Sequence, residues 1–499
     1  MSNDPPPLWP HQASGLRQAK LLLKYFDRVV VTSPTGGGKS RMMHEMVRDC
    51  SEQGRKSVIY QHRKMLLNQT SGVLTGFGVH HGIRAAGHLP VLSNNVQVSS
   101  IWTEGVRSIK NEQWDLHEAD LVLVDEAHSM THDTASKVFK HHLKAGAKLC
   151  GFTATPVGLK GHYDAIAVAG VKSELRACGA LLEAQVFAPD EPSSKGMIKN
   201  ENGDYSPKEI TGRMMVKTIF GRVYEHWKRL NQFALPAILF APGVPESRWF
   251  VEQFRRKGVT AAHIDAKTSD QERADIMGGS KDGTIRVICN RFVLREGVDA
   301  PWLYHCIFAT MFGSLTGYLQ SGGRLLRNHP SLEHVVLQDH GGSVWRHGDL
   351  NADRAWTLDD TNKSIARERK AALEKGEPEQ LRCPQCSAIR WPQDDSCWEC
   401  GYVHKQNSRM VVQTDGSLVK VRGRVVKKKK PKTSCDNWRN ILWMGAKRNL
   451  PLFVCKRIYE DRYGPLDPVA IGIRIPSDDS SEWSDKCRDV YPWLEKRKN

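Results

Sequence analysis

The chain has 499 residues, 40% hydrophobic and 25% charged, which suits about three globular domains and excludes a wholly disordered polymer. No apolar run reaches the ~18 residues of a membrane-spanning helix, and the polar, Pro-rich opening Met1–Gln12 lacks the pattern of a secretory signal, so a cytoplasmic setting is expected. Net charge is +17, and residues 401–499 hold 22 Lys and Arg against 11 Asp and Glu, which points to a polyanion such as nucleic acid, with solubility as the plainer alternative.

After Pro5–Pro7, short β-branched runs alternate with amphipathic stretches. Val29–Thr32, Ser57–Tyr60, Leu121–Val124 and Leu149–Phe152 read as buried parallel strands, and this βαβ rhythm defines a first α/β domain over 1–160. Residues 161–212, with Pro189, Pro192 and a polar stretch over 199–208, read as a linker or excursion. A second βαβ series over 213–350 has strand candidates Ala237–Phe240, Ile285–Cys289, Cys306–Ala309 and Val335–Leu337, so two α/β domains with a cleft between them are expected. Residues 351–380 read as a charged helical connector, 381–404 as a cysteine module, 405–434 as a basic linker and 435–499 as a helical C-terminal module rich in Trp and Tyr.

Within the first domain, Ser33-Pro-Thr35-Gly36-Gly37-Gly38-Lys39-Ser40 follows a strand and precedes a helix predicted over Arg41–Asp49. Glycines let the backbone N–H groups curl around a polyphosphate, Lys39 reaches the terminal phosphates, Ser40 binds Mg²⁺ through its hydroxyl, and the helix N-terminus adds its dipole. Ser33 stands where the general pattern has Gly. Leu121–Val124 ends in Asp125 and Glu126, carboxylates suited to hold Mg²⁺ and to deprotonate an attacking water respectively.

Cys383-Pro-Gln-Cys386 and Cys397-Trp-Glu-Cys400 are two C-x₂-C turns, each aiming two thiolates at one point. Together they complete a tetrahedral sulfur site that favours a structural Zn²⁺, with a redox or iron–sulfur site as the alternative. Eight further cysteines are scattered singly, which argues against a disulfide framework. The run Lys427-Lys428-Lys429-Lys430 closes a segment with ten basic residues and one acidic residue, suited to phosphate neutralisation.

Asp125-Glu126-Ala127-His128 resembles the DEAH box of superfamily 2 helicases and translocases, and other stretches are similar to that superfamily's motifs in its own order. Leu8–Gln12 is similar to the adenine-reading motif, with Gln12 as reader. Gln61–Gln69, containing Arg63, and Val96–Ile101 are similar to strand-contact motifs. Thr153-Ala-Thr155 resembles the motif coupling hydrolysis to domain movement, and Arg291–Pro301, containing Gly297 and Asp299, resembles the segment touching nucleotide and strand. Gln320–Arg327 resembles the motif whose arginines, here Arg324 and Arg327, enter the cleft as arginine fingers; Ser321 stands where many members carry Arg.

The resemblance implies two RecA-like parallel-sheet domains, a Mg-ATP site and catalytic roles for Lys39, Asp125, Glu126, His128, Gln320, Arg324 and Arg327. Arg63, Gln69, Arg273 and the Lys427–Lys430 run are the candidate nucleic-acid contacts. A helicase core followed by a four-cysteine module is most similar to RadD-type bacterial repair helicases and related phage helicases. That implies an ATP-dependent DNA helicase of a bacterial or phage-infected cell, with single-strand-binding or repair proteins as candidate partners. A double-strand translocase subunit of a restriction-type complex and an RNA helicase are alternatives. An inert scaffold is disfavoured by the presence of both Lys39 and Glu126.

Overall fold

Apolar β-branched runs too short for helices pair into two fully parallel sheets in the computed structural model, which describes residues 6–189, 192–199, 203–214, 217–295, 299–365, 367–368, 380–392, 394–403, 438, 441–442 and 452–463. The first sheet takes β1 (Arg28–Thr32), β2 (Ser57–Gln61), β3 (Gly82–Arg84), β4 (Val96–Ser100), β5 (Leu121–Val124), β6 (Lys148–Thr153) and β7 (Ala165–Val168), in spatial order β3-β4-β2-β5-β6-β1-β7. The second takes β8 (Glu183–Phe187), β9 (Ala237–Phe240), β10 (Ala261–Ile264), β11 (Val287–Asn290), β12 (His305–Phe308) and β13 (His334–Asp339), in order β10-β11-β9-β12-β13-β8. Both are RecA-like α/β sheets. Val29–Val31, Val58–Tyr60 and Val122–Val124 of the first, and Ala237–Phe240 and Val287–Cys289 of the second, are fully or almost fully buried, as parallel strands covered on both faces must be.

The described part of 6–382, together with Ser387–Ile389, forms one compact unit holding both sheets; Cys383–Cys386 and the described residues from Arg390 onward form a second. No helix among the described residues is long and apolar enough to cross a membrane.

Two expectations need correction. The segment 161–212 is not simply a linker: Ala165–Val168 is the outer strand of the first sheet, paired with β1, and Glu183–Phe187 is the outer strand of the second, paired with β13. Only four or five residues long and flanked by Gly170, Gly179 and Pro189, these edge strands carry a weak periodic signal, and only tertiary pairing fixes them. The connector over 351–380 is not helical at its start. Residues 351–361 run as an irregular strap, because their polar groups bond elsewhere: Asn351 pairs its side-chain amide with both backbone groups of Ala184, and Asp353 accepts from Ser173 N at 2.8 Å.

That strap joins the lobes. It leaves the second lobe after Asp349, holds the inter-lobe helix Lys172–Ala177 through Asp353 and Asn351, and inserts Leu358 into the first lobe's core. Trp356 packs against the cores of both lobes. Gly158 N donates to Asp360 O at 2.8 Å, and Lys160 pairs with Asp359 at 2.8 Å.

Candidate active site

Strand β1 ends at Thr32, and the loop after it turns into the helix Lys39–Glu52. Gly38 caps that helix with φ +77°, and a Cβ there would collide with the Gln12 amide, so both the sign of φ and the space require Gly. Gln12 clamps the loop, accepting from Trp9 N at 3.0 Å and donating to Gly37 O at 3.2 Å, while the His11 ring lies 3.0 Å from the same carbonyl. Ser33 is accommodated where the general pattern has Gly: its backbone N–H donates to Thr153 O at 3.3 Å and its hydroxyl turns under Gly37.

Strand β5 ends beside this loop and delivers two buried carboxylates. Glu126 has φ +47° and ψ +53°, a left-handed conformation that costs a non-Gly residue of order 1 kcal/mol or more and marks a site held by its surroundings. Burial raises the Asp125 carboxyl to about 6, helped by the neighbouring Glu126 charge and opposed by Lys39 and a hydrogen bond from Gln61. For Lys39, desolvation lowers the ammonium pKa, Glu126 and Asp125 hold it up, and Arg324 and Arg327 push it down, so the arginines of the second lobe share its electrostatic environment.

A cleft of about 900 Å³ has Gln12, Thr35, Gly36, Gly38, Lys39, Ser40, Asp125 and Glu126 on one wall and Asp299, Arg324 and Arg327 on the other. The walls touch beside the loop: a Cβ on Gly323 would come within 2.5 Å of Thr35 Cβ, so this approach of lobe to lobe requires Gly. Arg324 Nε donates to Arg295 O at 2.8 Å, and Arg327 pairs with Asp299. Ser321 is fully buried.

A polar chain crosses the same seam. Gln320 Nε2 lies 2.9 Å from His128 Nε2, His128 Nδ1 lies 2.9 Å from Thr153 Oγ1, and Thr155 N donates to Thr153 Oγ1 at 3.1 Å. With the Gln320 amide donating, His128 accepts at Nε2 and donates from Nδ1. Glu126 Oε2 is 3.5 Å from His128 Nδ1.

The other expected residues fall differently. Gln69 lines the cleft beside the phosphate loop, and Arg63 is the residue immediately before the helix Lys64–Gly76. Arg273 sits apart on the helix Asp270–Lys281, its guanidinium against the carbonyls of Asp265 and Thr268. Gly297 and Lys427–Lys430 lie outside the described residues. Two partners escaped the sequence reading. His11 holds the loop carbonyl, and Gln61 bonds Thr70 at 2.8 Å as well as Asp125. Gln61 carried one signal, a polar residue closing an apolar strand in the sheet's centre.

In the second unit, Cys383, Cys386, Cys397 and Cys400 bring their sulfurs within 4.8 Å of one another, with Cys383–Cys400 at 3.7 Å and Cys386–Cys397 at 3.5 Å. Four thiolates about 2.3 Å from a tetrahedral Zn²⁺ would be ~3.8 Å apart, so this donor set fits the metal. Burial raises the Cys383 thiol, but backbone N–H groups of Cys386 and Gln385 and the neighbouring thiols bring it down to about 7, favouring the ligand form. Trp438 is fully buried and packs edge-on against Tyr459 at 5.6 Å, so this tryptophan belongs to a core.

A phosphate loop and paired carboxylates on one RecA-like lobe, facing arginines on another, define a two-lobed nucleotide hydrolase. Residues 6–158 match the family "Type III restriction enzyme, res subunit" and residues 224–329 match "Helicase conserved C-terminal domain". A 51.5 kDa protein of a Lactococcus phage is 28% identical over 415 residues, covering 80% of this chain and 85% of its own length. The Saccharomyces cerevisiae protein IRC3, described as an ATP-dependent helicase, is 22% identical over 337 residues, covering 63% of this chain; the chain spans about half of its length (48%). A fragment described as an HsdR subunit of a type I restriction enzyme from Vibrio vulnificus shares the fold, with a TM-score of 0.50, 15% identity, and coverage of 68% of this chain and 65% of that one. The chain belongs to superfamily 2 of the helicases and is a nucleic-acid-dependent ATPase.

Proposed function

We propose that this protein is an ATP-dependent DNA helicase or translocase of a bacterial or phage-infected cytoplasm, acting in DNA repair, recombination or replication. The observation that carries the reading is the seam: Lys39, Asp125 and Glu126 face Arg324 and Arg327 across one cleft, and His128 meets Gln320 across the same divide.

Gln12 reads the adenine and braces the loop. Lys39 and the backbone of Gly36–Gly38 hold the phosphates, and Ser40 and Asp125 would hold Mg²⁺, which supplies charge neutralisation at the terminal phosphates. Glu126, buried and without a hydrogen-bond donor on Oε2, takes the proton of the attacking water. Arg324 and Arg327 stabilise charge developing on the transferred phosphoryl group, a contribution of ~10³–10⁵ in rate. Arg327 is paired with Asp299, so nucleotide entry exchanges that partner for phosphate. Because both lobes bind one nucleotide, ATP favours closure and hydrolysis removes that preference. His128 passes the state of the wall beside Glu126 to Gln320 on one side and, through Thr153, to Thr155 on the other. The four-cysteine module holds a structural Zn²⁺, and the basic C-terminal segment adds salt-sensitive grip on DNA.

The test is ATPase activity against single-stranded, double-stranded and forked DNA and against RNA, paired with strand displacement. Stimulation by DNA with displacement of a strand supports the proposal. Stimulation by duplex DNA with movement but no displacement favours the restriction-type translocase, and preferential stimulation by RNA favours an RNA helicase.

A further inference from the structure

We infer that Trp102 is a base-stacking platform for a single DNA strand lying along the carboxyl-terminal rim of the first sheet. The inference rests on the helicase reading above and adds a residue and a mode of contact to it.

In a parallel sheet all strands end on one rim, where ligands gather. The phosphate loop leaves β1 and Asp125 follows β5. Strand β4 stands two positions beyond β5 and four from β1, roughly 10 and 19 Å at ~4.8 Å per strand. The segment leaving β4 therefore shares the nucleotide's rim but lies outside the cleft. It is the helix Ile101–Glu104, running directly into a π-helical turn over Gly105–Lys110, an irregularity frequent at functional sites.

The orientation of this segment is fixed from below. Glu104 is fully buried and receives Arg84 Nε at 2.5 Å, Ser99 Oγ at 2.7 Å and Trp114 Nε1 at 3.2 Å. Gly105 abuts the Thr134 methyl. With that face anchored, Trp102 and, four residues on, Val106 are turned outward, 51% and 50% exposed.

Trp102 is nonetheless ordered. Its ring lies on His132 with centroids 4.3 Å apart and planes 5° from parallel, and His132 is itself fixed, its Nδ1 accepting from Ala135 N at 3.3 Å. One indole face is thus filled by a held ring, and the exposed area belongs to the edge and the opposite face. Burial also lowers the His132 pKa, keeping the ring neutral at physiological pH.

His62 and Asp133 lie close enough to influence His132 electrostatically, with opposite signs. Along the chain Arg63 and Lys64 follow His62 after β2, and Arg107, its guanidinium 5.0 Å from the Trp114 ring, and Lys110 follow Trp102 on its own segment. A flat, exposed π face on a segment that carries cations matches a nucleobase flanked by phosphates, and such stacking is indifferent to base identity.

The experiment measures binding of the full-length protein, in a non-hydrolysable ATP analogue, to a labelled single-stranded DNA and to a sugar–phosphate strand of the same length without bases. Trp102→Ala should bind the normal strand about tenfold more weakly, while its affinity for the abasic strand matches wild type. Trp102→Phe should recover most of the loss, and thermal melts verify that each variant is folded. Equal binding of the normal strand by Trp102→Ala and wild type overturns the inference, as does an equal loss on both strands, which would mark a structural role. Wild-type protein that binds neither strand overturns the helicase reading itself and this inference with it.

Discussion

The contact between Gln320 and His128 offers a sharp test of whether hydrolysis and lobe closure are one event. Gln320 is almost fully buried on the second lobe, and His128 belongs to the acidic wall of the first. Replacing Gln320 with Ala removes the donor at 2.9 Å and leaves His128 Nε2 with Ser129 Oγ at 3.2 Å. A neutral intramolecular hydrogen bond contributes about 0.5–1.5 kcal/mol net, so the closed arrangement should be depopulated roughly two- to tenfold. Arg324 and Arg327 act on the phosphoryl group only when the lobes meet, so DNA-stimulated kcat should fall by the same factor, while the affinity of the first lobe for nucleotide changes little.

A double-mutant cycle separates this from general damage. Gln320→Ala, His128→Ala and the double variant are compared with wild type in steady-state ATPase assays at saturating DNA, and their melting temperatures check the fold. If the two residues act through each other, the double variant loses little more than the worse single variant, with a coupling of about 1 kcal/mol. Losses that multiply would show that Gln320 and His128 serve separate ends, and the coupling argument would fail.

Glu126→Gln should bind ATP yet hydrolyse it ~10²–10⁴-fold more slowly, read by nucleotide binding beside turnover; near-normal turnover would remove Glu126 from its role. Because the Asp125 carboxyl is raised to about 6, the stability it gives the ligand-free protein is present in acid and lost as pH rises through about 6. Mg²⁺ must displace that same proton, so the Mg²⁺ concentration needed for half-maximal ATPase should climb as pH falls below about 6; a flat requirement between pH 5 and 7 would contradict this. Cys386→Ser should lose zinc and unfold its module, and one zinc per chain retained by elemental analysis would refute the assignment. Leu358→Ala should loosen the strap by about 2–3 kcal/mol, seen as faster hydrogen exchange over residues 351–361.

The placement of the first lobe's loop and carboxylates was legible because each motif is local. A loop in which Gly36 and Gly38 adopt φ near +80°, a lysine behind them and two carboxylates at a strand end are dictated by a few adjacent residues. The central strands were legible because burial on both faces leaves near-continuous apolar runs. Edge strands β7 and β8 were not, being short, Gly-flanked and stabilised only by partners over a hundred residues away in sequence. The strap escaped for a related reason. Asn351 and Asp353 look like a solvated helix face until their partners on Lys172–Ala184 are known. Gln61 and His11 were hidden because an uncharged polar side chain in an apolar context reads as packing until its carboxylate or carbonyl partner is placed beside it.

The strap also explains how two lobes joined by one short crossover keep a seam narrow enough for chemistry. Lys172, at the start of that crossover, is buried; desolvation lowers its pKa to about 7, and it donates to the Leu350 carbonyl. A buried amine is tolerated only where such an acceptor is held in place, and the neighbouring Asn351 and Asp353 bonds hold it. Trp356 then fills the space between the two cores, beside Thr35 and Ala154 of the first lobe and Gly323 of the second. Opening the seam therefore requires Gly323 to leave Thr35 and Trp356 to give up one of its two cores. Both changes occur next to the phosphate loop, so a nucleotide that alters the loop acts on the hinge and the chemical wall together, and Arg324 need move only as far as the strap allows.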